Sequence, residues 1–343
     1  MPALDNPRLA QPIDFEHTHA AHCESGAFTA LLRHHGLRLS EAMVFGIGSG
    51  LFYLYFPWIK IYGAPLTAYR DAPNAIMTRA ARRLGVRIQQ SRYRDPARGL
   101  RALDEALAQG VPVGMQTGIF WLPYFPRDMR FQFNGHHVIA YGRQGDEYLL
   151  SDTVFEAPVR CHAADLERAR FSKGPLAPKG LLYRITAVDS QPDLAAAIRA
   201  GLKTTVGRML KIPLRYMGIA GMRTMANALV QWPVTLPAAT ARGWLAQVIR
   251  MQEEIGTGGG GFRFMYAAFL DEAAGVLKYP ALHALSEQMT EAGDRWREFA
   301  VAGAQVIRAG DESTAGYAAL AACVRDCADR EERLFREIAK LLQ

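Results

Sequence analysis

Residues 23–36 read CESGAFTALLRHHG. Ala27, Phe28, Ala30, Leu31 and Leu32 recur with helical period, and Gly36 supplies a left-handed stop, so the spacing predicts a helix that opens at Cys23. A thiol there lies at the positive end of the peptide dipoles, beside N–H groups that have no acceptor within the helix. Both favour the thiolate, which is the nucleophilic form. The alternative reading is a small buried hydrophobe, the commoner fate of a free cysteine.

A cysteine nucleophile needs a base. Residues 135–142, GHHVIAYG, place two histidines at the start of an apolar strand. Neighbours on a strand face opposite sides, so only one of His136 and His137 can face a given cleft. The strand 147–151 returns across a Gly-containing hairpin loop, and antiparallel pairing brings Asp152 close to His136. A carboxylate there fixes the imidazole tautomer and stabilises its charged form. Cysteine, histidine and aspartate in this order, on helix, strand and strand end, are more specific together than any one alone.

Outward from this core, helices are expected over 73–85 and 96–110, and strands over 111–116, 137–141, 147–151 and 181–188. The character changes near Ser190–Asp193. Beyond it Ala, Leu, Arg and Met dominate, with helices expected over 194–210, 215–231, 238–255, 262–277, 281–307 and 312–342. The chain is therefore expected to be α+β over 1–189 and all-α over 190–343. A chain of 343 residues is also long for one hydrophobic core.

The uncharged run at 43–59, MVFGIGSGLFYLYFPWI, is at the short limit for a membrane span; three glycines and a proline make it a buried core segment instead. The N-terminus lacks the basic and apolar regions of a signal peptide. Cys23, Cys161, Cys323 and Cys327 form no disulfide framework, and cytoplasmic localisation is the expectation. Cys323 and Cys327, one helical turn apart, read as packing residues.

Lys and Arg outnumber Asp and Glu by 40 to 33, a formal charge of +7 that favours acidic partners. With no zinc finger, RNA-binding signature or basic run, nucleic acid is the weaker choice beside an acidic protein. His17, His19, His22 and Cys23 are metal-binding types, but their tight spacing keeps them from converging, and no metal is expected. Trp121 and Tyr124, in the aromatic loop WLPYFP at 121–126, are candidates to line an apolar acyl pocket, with core packing as the alternative. GTGGGG at 256–261 has no following Lys-Ser/Thr and is not a nucleotide loop. It is either a flexible connection or, through Gly258, Gly259 and the nearby Arg263, a contact for a bound pantetheine arm or acyl chain. The long helical part offers a possible homodimer surface.

CESGAFTALLRHHG, GHHVIAYG and YLLSDT together resemble the papain-like fold, in particular its bacteriocin-processing C39-type branch. That resemblance implies Cys23 as nucleophile, a histidine six residues before a strand-end glycine as base, and Asp152 as the group that orients it. Counted back from Gly142, the base is then His136. The family's oxyanion-hole glutamine stands six residues before the nucleophile, and His17 occupies that place here. With GVPVGMQ and WLPYFP at 110–126 and IGTGGGGFRFMYAAFLDEAA at 255–274, the chain also resembles the butirosin-biosynthesis acyltransferase family. This implies transfer of an acyl group from a phosphopantetheine thioester on an acyl carrier protein to a small-molecule amine acceptor, the phosphopantetheine belonging to the carrier and no cofactor to the enzyme. Two other outcomes stay open: a thioesterase, peptidase-like enzyme or cyclase using the same residues, and a non-catalytic binding scaffold.

Overall fold

The computed structural model describes residues 12–189, 191–256, 258–310 and 313–343. Its elements in chain order begin with α1 (Cys23–His34), α2 (Glu41–Ile47), β1 (Leu51–Ile61), β2 (Ala64–Arg70), α3 (Ala75–Arg83), β3 (Arg87–Ser91) and α4 (Pro96–Ala108). β4 (Val113–Thr117), β5 (His136–Gln144), β6 (Glu147–Ser151), β7 (Val159–His162), α5 (Ala163–Arg170) and β8 (Leu182–Ala187) follow. Then come helices only: α6 (Leu194–Leu210), α7 (Gly218–Thr235), α8 (Ala238–Glu253), α9 (Arg263–Leu277), α10 (Ala281–Ala309) and α11 (Thr314–Leu341). The chain is α+β in its first part and all-α from Asp193 onward, in keeping with the fold class read from the sequence.

Two compact units emerge. One comprises the chain through Val44 and Leu84–Pro192; the other comprises Phe45–Arg83 and Asp193–Gln343. The chain passes between the units three times, after Val44, Arg83 and Pro192, whereas the sequence reading sets a single division at 189/190.

The first unit is built on a six-stranded sheet of order β3-β8-β4-β5-β6-β7, antiparallel throughout. Leu103 and Leu107 of α4, Met115 of β4, Val138 and Ala140 of β5, and Leu166 of α5 share one hydrophobic cluster. α1 packs against β5, β4 and β8. Its close seating depends on Gly26, where an added Cβ would meet the Ala20 Cβ at 2.5 Å and Thr153 Cγ2 at 3.1 Å. The Ala20 N–H in turn donates to the Thr153 carbonyl at 2.9 Å, so the chain entering α1 runs along the segment that leaves β6.

In the second unit β1 and β2 form a hairpin closed by Tyr62 and Gly63, both in the left-handed region. β1 packs on α6 and α7, and β2 on α8. The run 43–59 is thus not one core segment: it is most of α2, a turn, and the first part of a strand whose Trp58 and Ile59 are exposed. Among the described residues no helix is long and apolar enough to cross a membrane.

Candidate active site

α1 begins at Cys23, with His22 as its N-cap accepting the Ser25 N–H on its side chain. The entry to the helix is clamped by Glu41. Its carboxylate accepts the Ala21 and His22 N–H groups and the Ser25 hydroxyl, each at 2.9 Å. Burial raises the Glu41 pKa against the opposing pull of these donors. Cys23 is buried, its Sγ 3.8 Å from the Gly135 carbonyl oxygen, immediately before His136.

His136 is the first residue of β5, and Asp152 follows the last residue of β6. Ile139 pairs with Ser151 in this hairpin, which draws the two side chains together at the strand ends. His136 Nε2 lies 2.7 Å from Asp152 Oδ2, both side chains buried. Burial alone would lower the His136 pKa. The charge and hydrogen bond of Asp152, then the hydrogen bond and charge of Cys23, outweigh it and push the pKa up to about 10. Asp152 and Cys23 thus both favour the charged form of this imidazole.

Asp152 is itself held in place. Oδ2 also accepts the Tyr124 hydroxyl at 2.9 Å, and Oδ1 accepts the Val154 N–H at 3.1 Å. Burial and the neighbouring carboxylate keep the Tyr124 phenol protonated and hence a donor. The Phe125 ring stands edge-on to the His136 ring at 5.5 Å. His137 faces the other side of the sheet, its Nδ1 3.0 Å from the Tyr183 hydroxyl.

The structure brings Cys23, His136 and Asp152 together but corrects several other assignments. His17 Nε2 is 3.0 Å from the Phe155 carbonyl and must donate to it, so Nδ1 accepts from Ser151 Oγ at 2.8 Å. With both ring nitrogens engaged along the strap beside β6, His17 has no donor left for an oxyanion. Tyr124 is half-buried, and its hydroxyl is committed to Asp152. Trp121 is exposed, edge-on to the equally exposed Phe120.

Gly258, Gly259 and Arg263 belong to the other unit. Arg263 is fully buried and bidentate to Glu331, with Nε to Oε1 and Nη2 to Oε2 both at 2.9 Å, while Nη1 donates to the Gly261 carbonyl at 2.7 Å. Its guanidinium carbon lies 5.7 and 5.3 Å from the ring centroids of Tyr69 and Trp296, and the side chain is closed off from solvent. Gly259 is buried, and an added Cβ would strike Arg297 at 2.6 Å; Gly258 is exposed. Gly260 and Gly261 are buried as well, and the Gly260 N–H is bound by Glu253. Among the described residues no three His, Cys, Asp or Glu side chains gather as a metal site. Glu41 and Phe125 had no legible signal in the sequence, since their contacts depend on long-range packing.

A cysteine at the head of a helix is thus set against an antiparallel sheet that carries a histidine and an aspartate. The family model for the N-terminal region of butirosin biosynthesis protein H matches residues 22–153, and that for a domain of unknown function, DUF4872, matches residues 164–338, just over half of the chain. The chain belongs to the family in which these two parts are joined. A solved structure from Bacillus anthracis, described as a C39-like peptidase, aligns over 51% of this chain and 96% of its own, with 10% identity and a TM-score of 0.37. No curated protein matches the chain.

Proposed function

We propose that this protein transfers an acyl group from an acyl-carrier-protein thioester to an amine, through an acyl-enzyme on Cys23, in specialised metabolism. The observation that carries the reading is the 2.7 Å His136–Asp152 pair, with Cys23 Sγ against the carbonyl of Gly135, the residue before His136. The thiolate attacks the thioester carbonyl, and the Cys23 N–H, an N-terminal helix donor without an intrahelical acceptor, stabilises the oxyanion. The carbon–sulfur bond to the carrier breaks, and the departing thiolate takes the proton of His136. His136, now neutral, accepts a proton from the incoming amine as it attacks, and the Cys23 thiolate leaves. Attacking and leaving thiolates are chemically matched, which suits thioester exchange. An excess of cations on the chain suits an acidic carrier.

The test is intact-mass analysis after incubation with a panel of acyl-carrier thioesters. The chain should gain one acyl group, Cys23→Ala should gain none, and an amine should remove it as an amide. An undiminished adduct on Cys23→Ala rejects the assignment, and release of free acid in the presence of every amine assigns hydrolysis instead.

A further inference from the structure

The loop that covers the His136–Asp152 pair has two sides. Leu122 and Phe125 are buried, and Tyr124 reaches Asp152, while Phe120, Trp121 and Met129 stand in solvent at 40%, 38% and 43% exposure. The Phe120 and Trp121 rings meet edge-on at 5.1 Å. A second loop, over residues 172–180, is tied to the same place. Asn134 Nδ2 donates to the Lys173 and Pro175 carbonyls at 3.1 and 2.9 Å, and Gln116 Nε2 donates to the Leu176 carbonyl at 2.8 Å. Asn134 adjoins Gly135, the residue in contact with the Cys23 sulfur. This second loop presents Leu176 at 45% exposure. Large apolar side chains on two loops that flank the candidate nucleophile mark a surface that another molecule covers.

The charges on the loops say which kind. Between Gly118 and Asn134 and between Ser172 and Gly180, the cations are Arg127, Arg130, Lys173 and Lys179, and the one acid is Asp128. A second copy of this chain would set these cations against one another; an acidic protein would pair with them. We propose that these two loops are the docking surface for the acidic carrier protein that delivers the acyl group, an inference that rests on the acyl-transfer reading. The exposed aromatics would be desolvated at the centre of the contact, and the cations would steer encounter and fix orientation from the rim.

The test compares two forms of the same panel of acyl groups, one on a phosphopantetheinylated acyl carrier protein and one on N-acetylcysteamine, which reaches Cys23 without a carrier. Lys173→Glu and Leu176→Asn change exposed side chains only, asparagine being suited to the left-handed backbone at position 176. In each variant KM for the carrier thioester should rise about tenfold, with kcat and the N-acetylcysteamine reaction unchanged. Equal losses with both substrates, or no loss with either, overturn the surface. Acylation of the unchanged protein by neither substrate overturns the acyl-transfer reading, and the surface with it.

Discussion

The Tyr124 hydroxyl donates to Asp152 Oδ2 across 2.9 Å, the same oxygen that accepts His136 Nε2. One carboxylate oxygen thus joins the covering loop to the imidazole. Tyr124→Phe removes a donor to a buried charged group and keeps the ring. It should lower the rate of Cys23 acylation about tenfold while costing about 1.5–3 kcal/mol of stability. Acylation kinetics beside urea unfolding check this; an unchanged rate would mean that Asp152 is held without Tyr124.

The state of His136 sets a pH dependence. Its pKa rises from 6.5 to about 10 on folding, so the folded state binds this proton more tightly than the unfolded one. The resulting stabilisation is complete below pH 6.5, declines as pH rises through the interval, and is gone above about 10. The stability gap between the unchanged protein and His136→Gln should therefore narrow as pH is raised from about 6 to about 10. A gap that stays constant would show that the imidazolium is not favoured by folding.

Glu41 holds the two N–H groups just ahead of Cys23 and the hydroxyl of Ser25. Glu41→Gln replaces one acceptor oxygen by a donor and should loosen the helix entry. Alkylation of Cys23 by iodoacetamide should slow about fivefold, with its pH profile displaced, whereas the far-ultraviolet spectrum should stay the same. Unaltered alkylation kinetics would reduce Glu41 to an ordinary surface clamp.

In the helical unit, removing one member of the Arg263–Glu331 pair strands a buried charge. Arg263→Ala should cost about 3–5 kcal/mol, and replacing both members by apolar residues of similar volume should recover much of it. Chemical denaturation of the single and double variants measures the difference. A loss of thioester acylation with no loss of stability would instead return Arg263 to the role in substrate binding that its sequence position suggests.

At Gly26 the predicted cost is steric. A methyl group 2.5 Å from the Ala20 Cβ must push apart the strap and α1. Gly26→Ala should destabilise by about 1–3 kcal/mol and slow Cys23 alkylation, both measurable on one preparation.

Local pattern along the chain is enough for the elements that short-range spacing governs. Helical period and glycine stops marked α1 and the six C-terminal helices, and the hairpin spacing around Gly142–Asp146 was enough to bring Asp152 toward the base. Strand alternation told that one of His136 and His137 faces the cleft, because that depends on period alone. What each side chain is committed to depends instead on long-range packing. His17, Tyr124 and Arg263 carry groups fit for oxyanion, acyl or phosphate contact, yet each is engaged by Phe155, Asp152 or Glu331, residues 138, 28 and 68 positions away. The excursion of 45–83 into the helical unit was hidden for the same reason. A hairpin's partner is set by which distant apolar face it covers, and that face is assembled only when the chain folds.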